Sequence, residues 1–383
     1  MTRKILFTAT VDYHFKAFHL PYLKWFKEQG WDVHVAASGD IHLPYVDQKY
    51  NLPIQRGPVH KENLIAYRQL KKIIEDNRYN LIHCHTPMGG VLTRLAARAA
   101  RNKGTKVIYT AHGFHFCKDA PLANWCLYYP IEKGLANLTD CLITINEEDY
   151  TLASMKLNTK RNELVHGVGV NTEDFKPVRY EQKMELRKSL GYQPDDFLLI
   201  YAAEFNKNKN QQFLIRAFEK AARTMPHAKL LLAGEGSTLN ECRKLTVHLG
   251  IENRVDFLGF RKDMKRLLAI CDAAGGSSLR EGLPVNIMEA MACALPIIAT
   301  DNRGHRELIH HSVNGWLIEK NGIDDFAGKI EFLANHPQVK KQLGNEGRKT
   351  IIKTYSEQQV LIQKREIYQS FMKEEGVGAW AVH

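Results

Sequence analysis

Two glutamates eight positions apart bracket the most chemically suggestive stretch of this 383-residue sequence. It reads Ser277-Ser278-Leu279-Arg280-Glu281-Gly282-Leu283-Pro284-Val285-Asn286-Ile287-Met288-Glu289-Ala290. Pro284 suits the first turn of a helix, where its missing N–H costs nothing. That puts Glu281 in the loop before the helix, Glu289 inside it, and the amides around Gly282–Val285 at its positive end. Such an end receives a diphosphate, and Gly282 lets a ligand approach the backbone closely. Carboxylates on either side would accept hydrogen bonds from sugar or ribose hydroxyls. On spacing alone, Glu281 reads as a capping acid and Glu289 as a solvated helix residue. The Gly-Gly-Ser-Ser before the pair and the Leu-Pro-Ile-Ile-Ala-Thr after it lift the segment above that reading.

Other residues invite chemistry less directly. His83, His85, His112 and His115, with Cys117, could be read as a metal site, and strand alternation puts His83 and His85 on one face. Zinc needs three or four converging ligands, so these histidines are expected to contact sugar or backbone, and no metal is expected. From Tyr13 to Lys27 the chain is rich in aromatics and bases (Phe15, Lys16, Phe18, His19, Tyr22, Lys24, Trp25, Phe26). They form either an amphipathic helix with aromatics in the core or a surface helix lying on anionic lipid. Trp125, Tyr128 and Tyr129 allow the same two readings.

The elements that must position these residues alternate. Strands are predicted at 4–9, 32–37, 81–85, 107–110 and 141–145, with helices at 15–29, 63–76, 89–101, 125–135 and 147–155. The series resumes with strands at 196–202, 228–233, 255–258, 272–277 (edge quality), 296–299 and 316–318. Helices at 210–223, 239–249, 264–271, 284–293, 324–334, 343–353 and 358–373 accompany them. Short strands alternating with helices specify parallel, doubly wound sheets, and a charged turn region at 171–179 separates two such series. Neither opens with G-x-G-x-x-G, which disfavours a nicotinamide dehydrogenase. Two lobes imply an interdomain cleft as the ligand site. Apolar residues are 44% and charged residues 25%, ordinary for a globular protein. The seven cysteines include no Cys-x-x-Cys pair and imply a reducing, cytoplasmic setting. The net charge of +11 is spread over both halves with no nucleic-acid-binding signature. No apolar run is long enough for a membrane span, and the start reads as a strand rather than a signal peptide.

The Glu281–Glu289 stretch resembles the Glu-x7-Glu signature of the retaining glycosyltransferases of family four, and the likeness covers nearly the whole chain. Ala202–Asn210 is similar to that family's phosphate-binding loop, Gly234-Glu235-Gly236 to its glycine turn, and Phe257-Leu258-Gly259-Phe260 to the segment that meets the base. Asn314-Gly315-Trp316-Leu317 and Thr110-Ala111-His112-Gly113 match further landmarks. Residues 9–21, His83–Pro87 and Asp301–Glu307 resemble the bacterial exopolysaccharide and capsule subgroup. Two departures stand out: Glu204 where the family usually has Arg, with Lys207 or Arg280 as substitutes, and Ala294 where Gly is common.

The resemblance implies an α/β GT-B fold of two Rossmann-like domains. An acceptor domain would span 1–175, a nucleotide-sugar domain 176–357, and a terminal helix, 358–383, would cross back to the first. His112, Lys209 and Glu281 would be catalytic, with His112 beside the donor sugar and Lys209 against the diphosphate. Glu204, Phe260, Arg261, Gly282, Leu283 and Glu289 would bind the donor; Glu204 could instead orient Lys209. His14, Lys16, His19 and Arg68 would meet an acceptor diphosphate. The expected reaction is retaining transfer from a nucleotide sugar, a UDP sugar foremost, to a lipid-linked saccharide. No cofactor or metal is expected, no nucleic acid partner, and a cytoplasmic location with peripheral contact to anionic membrane on its inner face. A nucleotide-sugar epimerase and a non-catalytic sugar-nucleotide sensor are the alternatives.

Overall fold

A computed structural model describes residues 2–118 and 120–378. The chain divides into two units, 1–168 with 360–383, and 169–359.

In the first unit seven strands form one parallel sheet: β1 (Lys4–Val11), β2 (Asp32–Ser38), β3 (Gln48–Asn51), β4 (Leu81–His85), β5 (Lys106–Ala111), β6 (Cys141–Thr144) and β7 (Asn162–Leu164). Their order is β3-β2-β1-β4-β5-β6-β7. Alternating side chains feed two cores. Leu6, Ile82 and Val107 pack with Ala66, Leu70 and Ile74 of the helix Glu62–Asn77. Ile5, Phe7, Val33 and Val35 pack on the other face with Phe15, Tyr22 and Phe26. The aromatic stretch at 13–27 thus fills the core. The single helix expected there is two, Tyr13–Phe18 and Leu20–Glu28, divided at His19. Pro21 lies in the first turn of the second and has no N–H to continue the first. The last helix, Glu357–Gly378, brings Val360, Ile367, Tyr368 and Phe371 into this second core.

The second unit holds β8 (Phe197–Ala202), β9 (Ala228–Ala233), β10 (Val255–Gly259), β11 (Ala273–Gly276), β12 (Ile297–Thr300) and β13 (Gly315–Ile318), in the order β10-β9-β8-β11-β12-β13. β11 is therefore central, not the edge strand its small residues implied. Those residues make room for what packs above them. A Cβ on Gly275 would lie 3.3 Å from Leu214, and one on Gly276 3.1 Å from the His305 ring. Residues 169–175 join this unit. Val170 bridges to the segment before the last helix (Val170 N–H to Tyr355 C=O, 2.9 Å; Glu357 N–H to Val170 C=O, 2.9 Å). The change of unit thus falls at 168/169, seven residues before the expected 175/176.

Candidate functional site

In the second unit the strand ends carry the loops that matter. The turn after β8 and the Gly234-Glu235-Gly236 turn after β9 lie back to back (Ala203 N–H to Ala233 C=O, 2.9 Å; Phe205 N–H to Glu235 C=O, 2.8 Å). Gly234 has φ 142°, and a Cβ there would lie 2.1 Å from the Ala203 carbonyl oxygen, so only glycine fits. Past Phe205 the chain curls: Asn206 accepts the Lys209 N–H at 2.9 Å. The loop is then tied to the end of β11. Leu279 N–H donates to Asn208 C=O at 2.8 Å, Asn208 Nδ2 to Arg280 C=O at 3.0 Å, and Ser277 Oγ to Lys209 C=O at 2.8 Å. These bonds bring the Lys209 ammonium onto the Glu281 carboxylate in a direct ion pair, both side chains largely buried.

Glu281 is held from behind as well. Arg303 Nε donates to its carbonyl at 3.0 Å, and a Cβ on Gly304 would lie 2.6 Å from the Glu281 Cβ. Asn302 caps the short helix Arg303–Leu308 through the His305 N–H at 3.1 Å and donates to Ser278 C=O at 2.9 Å. The Asp301–Glu307 motif is thus the scaffold beneath Glu281. The next helix begins at Val285, with Pro284 as its N-cap rather than in its first turn, and runs to Ala292. Inside it, Glu289 is largely desolvated and its carboxyl is pushed up to about 7. Among the described residues no protein donor pairs with that carboxylate, which is why burial alone raises it.

The remaining donor-side residues fall in several environments. Glu204 faces solvent, accepts a bond from Asn206 Nδ2 at 3.2 Å and does not touch Lys209; Glu281 holds the lysine instead. Lys207 and Arg280 are exposed. Phe260 is 64% exposed, an uncovered ring beside the loop ends. Arg261 is clamped by Asp263 through two bonds of 2.8 and 2.7 Å. Gly282 is half-buried and Leu283 is buried. Ala294, the other departure from the family pattern, sits at φ 58°.

The first unit has its own cavity of 670 Å³, lined among others by Val11, Tyr13, His14, Arg56, His112, Leu127 and Ile131. Thr86 bounds it at φ 63°, with its hydroxyl meeting Thr10 N–H at 3.0 Å and Thr10 Oγ1 at 2.8 Å. Glu132, also in the lining, is paired with the fully buried Arg94 at 2.8 and 3.1 Å, and that guanidinium lies 3.9 Å over the Tyr109 ring. Burial holds the His112 imidazole well below its usual range, so it is neutral at pH 7.

The four residues expected to meet an acceptor fall in different places. His19 is fully buried, because it is the junction between two helices under the sheet end. Lys16 and Arg68 are on exposed helix faces and do not line the cavity. His14 does line it, but its Nε2 turns inward and is buried. Sequence reasoning missed Arg56 and Glu132. Arg56 sits in an irregular loop without pattern, and Glu132 meets Arg94 across 38 positions, a separation that no local spacing signals. His83 is an ordinary core histidine, with Nδ1 on Tyr368 OH at 2.7 Å and Nε2 on Thr110 Oγ1 at 2.8 Å.

Residues 182–350 match the family described as Glycosyl transferases group 1, and residues 4–146 the family described as Glycosyl transferase 4-like. EpsD of Bacillus subtilis (strain 168), named as a glycosyltransferase, is 52% identical over 97% of this chain and 98% of its own. The chain belongs to the glycosyltransferases. An Escherichia coli member, UDP-Gal:alpha-D-GlcNAc-diphosphoundecaprenol alpha-1,3-galactosyltransferase, is 28% identical over 68% of each chain. HepE of Anabaena, crystallised in complex with UDP-glucose, matches with a TM-score of 0.78 at 21% identity, covering 96% of this chain and 99% of that one. The two Rossmann-like units of this glycosyltransferase make it a GT-B protein. Among its described residues no helix is long and apolar enough to cross a membrane.

Proposed function

We propose that this glycosyltransferase moves a sugar from a UDP sugar to a lipid-linked saccharide, with retention at the anomeric carbon, in polysaccharide synthesis at the cytoplasmic face of the membrane. The observation that carries the proposal is the Lys209–Glu281 pair set just before the helix Val285–Ala292. A departing nucleoside diphosphate gains negative charge as the sugar–phosphate bond breaks. An ammonium already fixed beside a helix N-terminus stabilises that charge without reorganising. Glu281 fixes the lysine through one carboxylate oxygen and keeps the other for a donor-sugar hydroxyl. Glu289 takes the ribose hydroxyls, and Phe260 and Arg261 frame the base. The acceptor hydroxyl attacks the anomeric carbon from the leaving-group side and passes its proton to the departing phosphate oxygen. The bond to the diphosphate breaks and UDP leaves. No protein nucleophile and no metal at the diphosphate are required.

The acceptor reading rests on the first unit's cavity. Its rim includes Leu127 and Ile131, 52% and 41% exposed, with Leu122 at 82% on the same helix, Leu122–Ala136. An apolar rim beside Arg56 suits a lipid tail joined to an anionic diphosphate. His112, neutral, offers a hydrogen bond to a sugar hydroxyl there. The Escherichia coli relative's name carries a diphosphoundecaprenol acceptor. Seven free cysteines suit a reducing compartment.

The test is UDP release from a panel of UDP sugars, with and without a short-chain lipid-diphosphate saccharide. Acceptor-dependent release, and a product with the donor's anomeric configuration by NMR, are expected. Sugar isomerisation without acceptor would make the protein an epimerase. Donor binding without turnover on any acceptor would make it a sensor.

A further inference from the structure

Beneath the first unit's cavity three imidazoles converge, and four of their six ring nitrogens are buried without a partner. His14 lies on the helix Tyr13–Phe18, His19 at its C-cap, and His85 ends β4. Ring centroids are 4.8 Å apart for His14–His19, 4.2 Å for His19–His85 and 5.4 Å for His14–His85. His19 and His85 are fully buried. His14 Nε2, both ring nitrogens of His19 and His85 Nε2 are buried without a hydrogen-bond partner. Their neighbour His83 has both nitrogens bonded, so the cluster is not simply how this core treats histidine.

We propose that His14, His19 and His85 bind a divalent transition-metal ion of zinc type. One nitrogen from each can be chosen so that all three lie within 4.8 Å of one another. A zinc–nitrogen bond of about 2.1 Å needs tetrahedral ligand atoms about 3.4 Å apart, so binding draws the three rings together. Water takes the fourth position. His14 lines the cavity and so gives the ion a way in. Lys364 lies close to His14 and His19, and its Nζ is likewise buried without a hydrogen-bond partner. Metal on His85 Nε2 leaves the proton on Nδ1, which faces His112 Nε2 at 3.4 Å. The ion therefore sets the tautomer of the cavity-lining His112.

Tag-free full-length protein, stripped with chelator, is titrated with zinc chloride by calorimetry and assayed for metal content. One zinc per chain is expected, with a rise in Tm of about 3 °C or more at saturating zinc. His19→Gln and His85→Gln should weaken binding at least tenfold. His227→Gln, an exposed histidine of the separate Asp195–Asp196–His227 group, should not. His14→Gln, at the cavity wall, gives the reading if the buried variants fail to fold by circular dichroism. Zinc uptake unchanged in His14→Gln, or abolished by His227→Gln alone, would overturn the proposal, as would no zinc bound to the wild type.

Discussion

Lys209 and Glu281 show what a residue type means only in context. Each was legible as a candidate from the motif around it, but their pairing, across 72 positions, was not. It depends on Asn206 and Ser277 shaping the loop. Lys209→Ala should lower turnover about 100-fold, because it removes charge from the transition state, with Lys209→Arg recovering part of the loss. Steady-state kinetics with donor and acceptor varied separately check this, and a Lys209→Ala change confined to KM would contradict it. Glu289 predicts a pH signature. Its carboxyl, raised to about 7 by burial, stays protonated in the folded protein while the unfolded chain ionises from about 4.5. It therefore lowers stability progressively from about pH 4.5 to about 7, and Glu289→Gln should flatten that stretch of the Tm–pH curve. The ionised form is the acceptor for ribose hydroxyls, so UDP affinity should rise through pH 7 in the wild type more than in Glu289→Gln, read by calorimetry at pH 6, 7 and 8.

At the scale of elements, the alternation of strand and helix was plain because parallel strands covered on both faces read as apolar runs. What misled was composition without context. Ala273-Ala274-Gly275-Gly276 looked weak, yet small residues are what a central strand needs when helices press on both faces. The 15–29 helix looked continuous because its aromatics keep a helical period across the break at His19. Ala294 is the element-scale liability. It ends the helix Val285–Ala292 region at φ 58°, and a left-handed residue with a Cβ costs about 1–2 kcal/mol. Ala294→Gly should stabilise the protein by about 0.5–1 kcal/mol, net of the flexibility glycine adds to the unfolded chain. Urea titration should show a higher midpoint with an unchanged slope.

For the molecule as a whole, the two-series organisation was readable, but the limits of the units were not visible in any local signal. Val170 joins the second unit through bonds to the segment at 355–357, far along the chain, and Gly169 packs closely against Glu357 there. The last helix joins the first unit through Tyr368, fully buried, whose hydroxyl meets His83 285 positions earlier. Tyr368→Ala should cost about 3–5 kcal/mol, and Tyr368→Phe about 1–2 kcal/mol by leaving His83 Nδ1 unpaired. Calorimetric scanning should show the loss in the unfolding of the first unit. An unchanged thermogram for Tyr368→Ala would mean that the helix contributes nothing to that core.

Because residues 360–378 complete the unit formed by the first part of the sequence, synthesis order and assembly order differ. A nascent polypeptide emerging from the ribosome holds an amino-terminal sheet whose Val360, Ile367, Tyr368 and Phe371 have not yet been translated. The middle of the chain can close first, while the earlier sheet waits, partly uncovered, until the helix from Glu357 onward has left the ribosome.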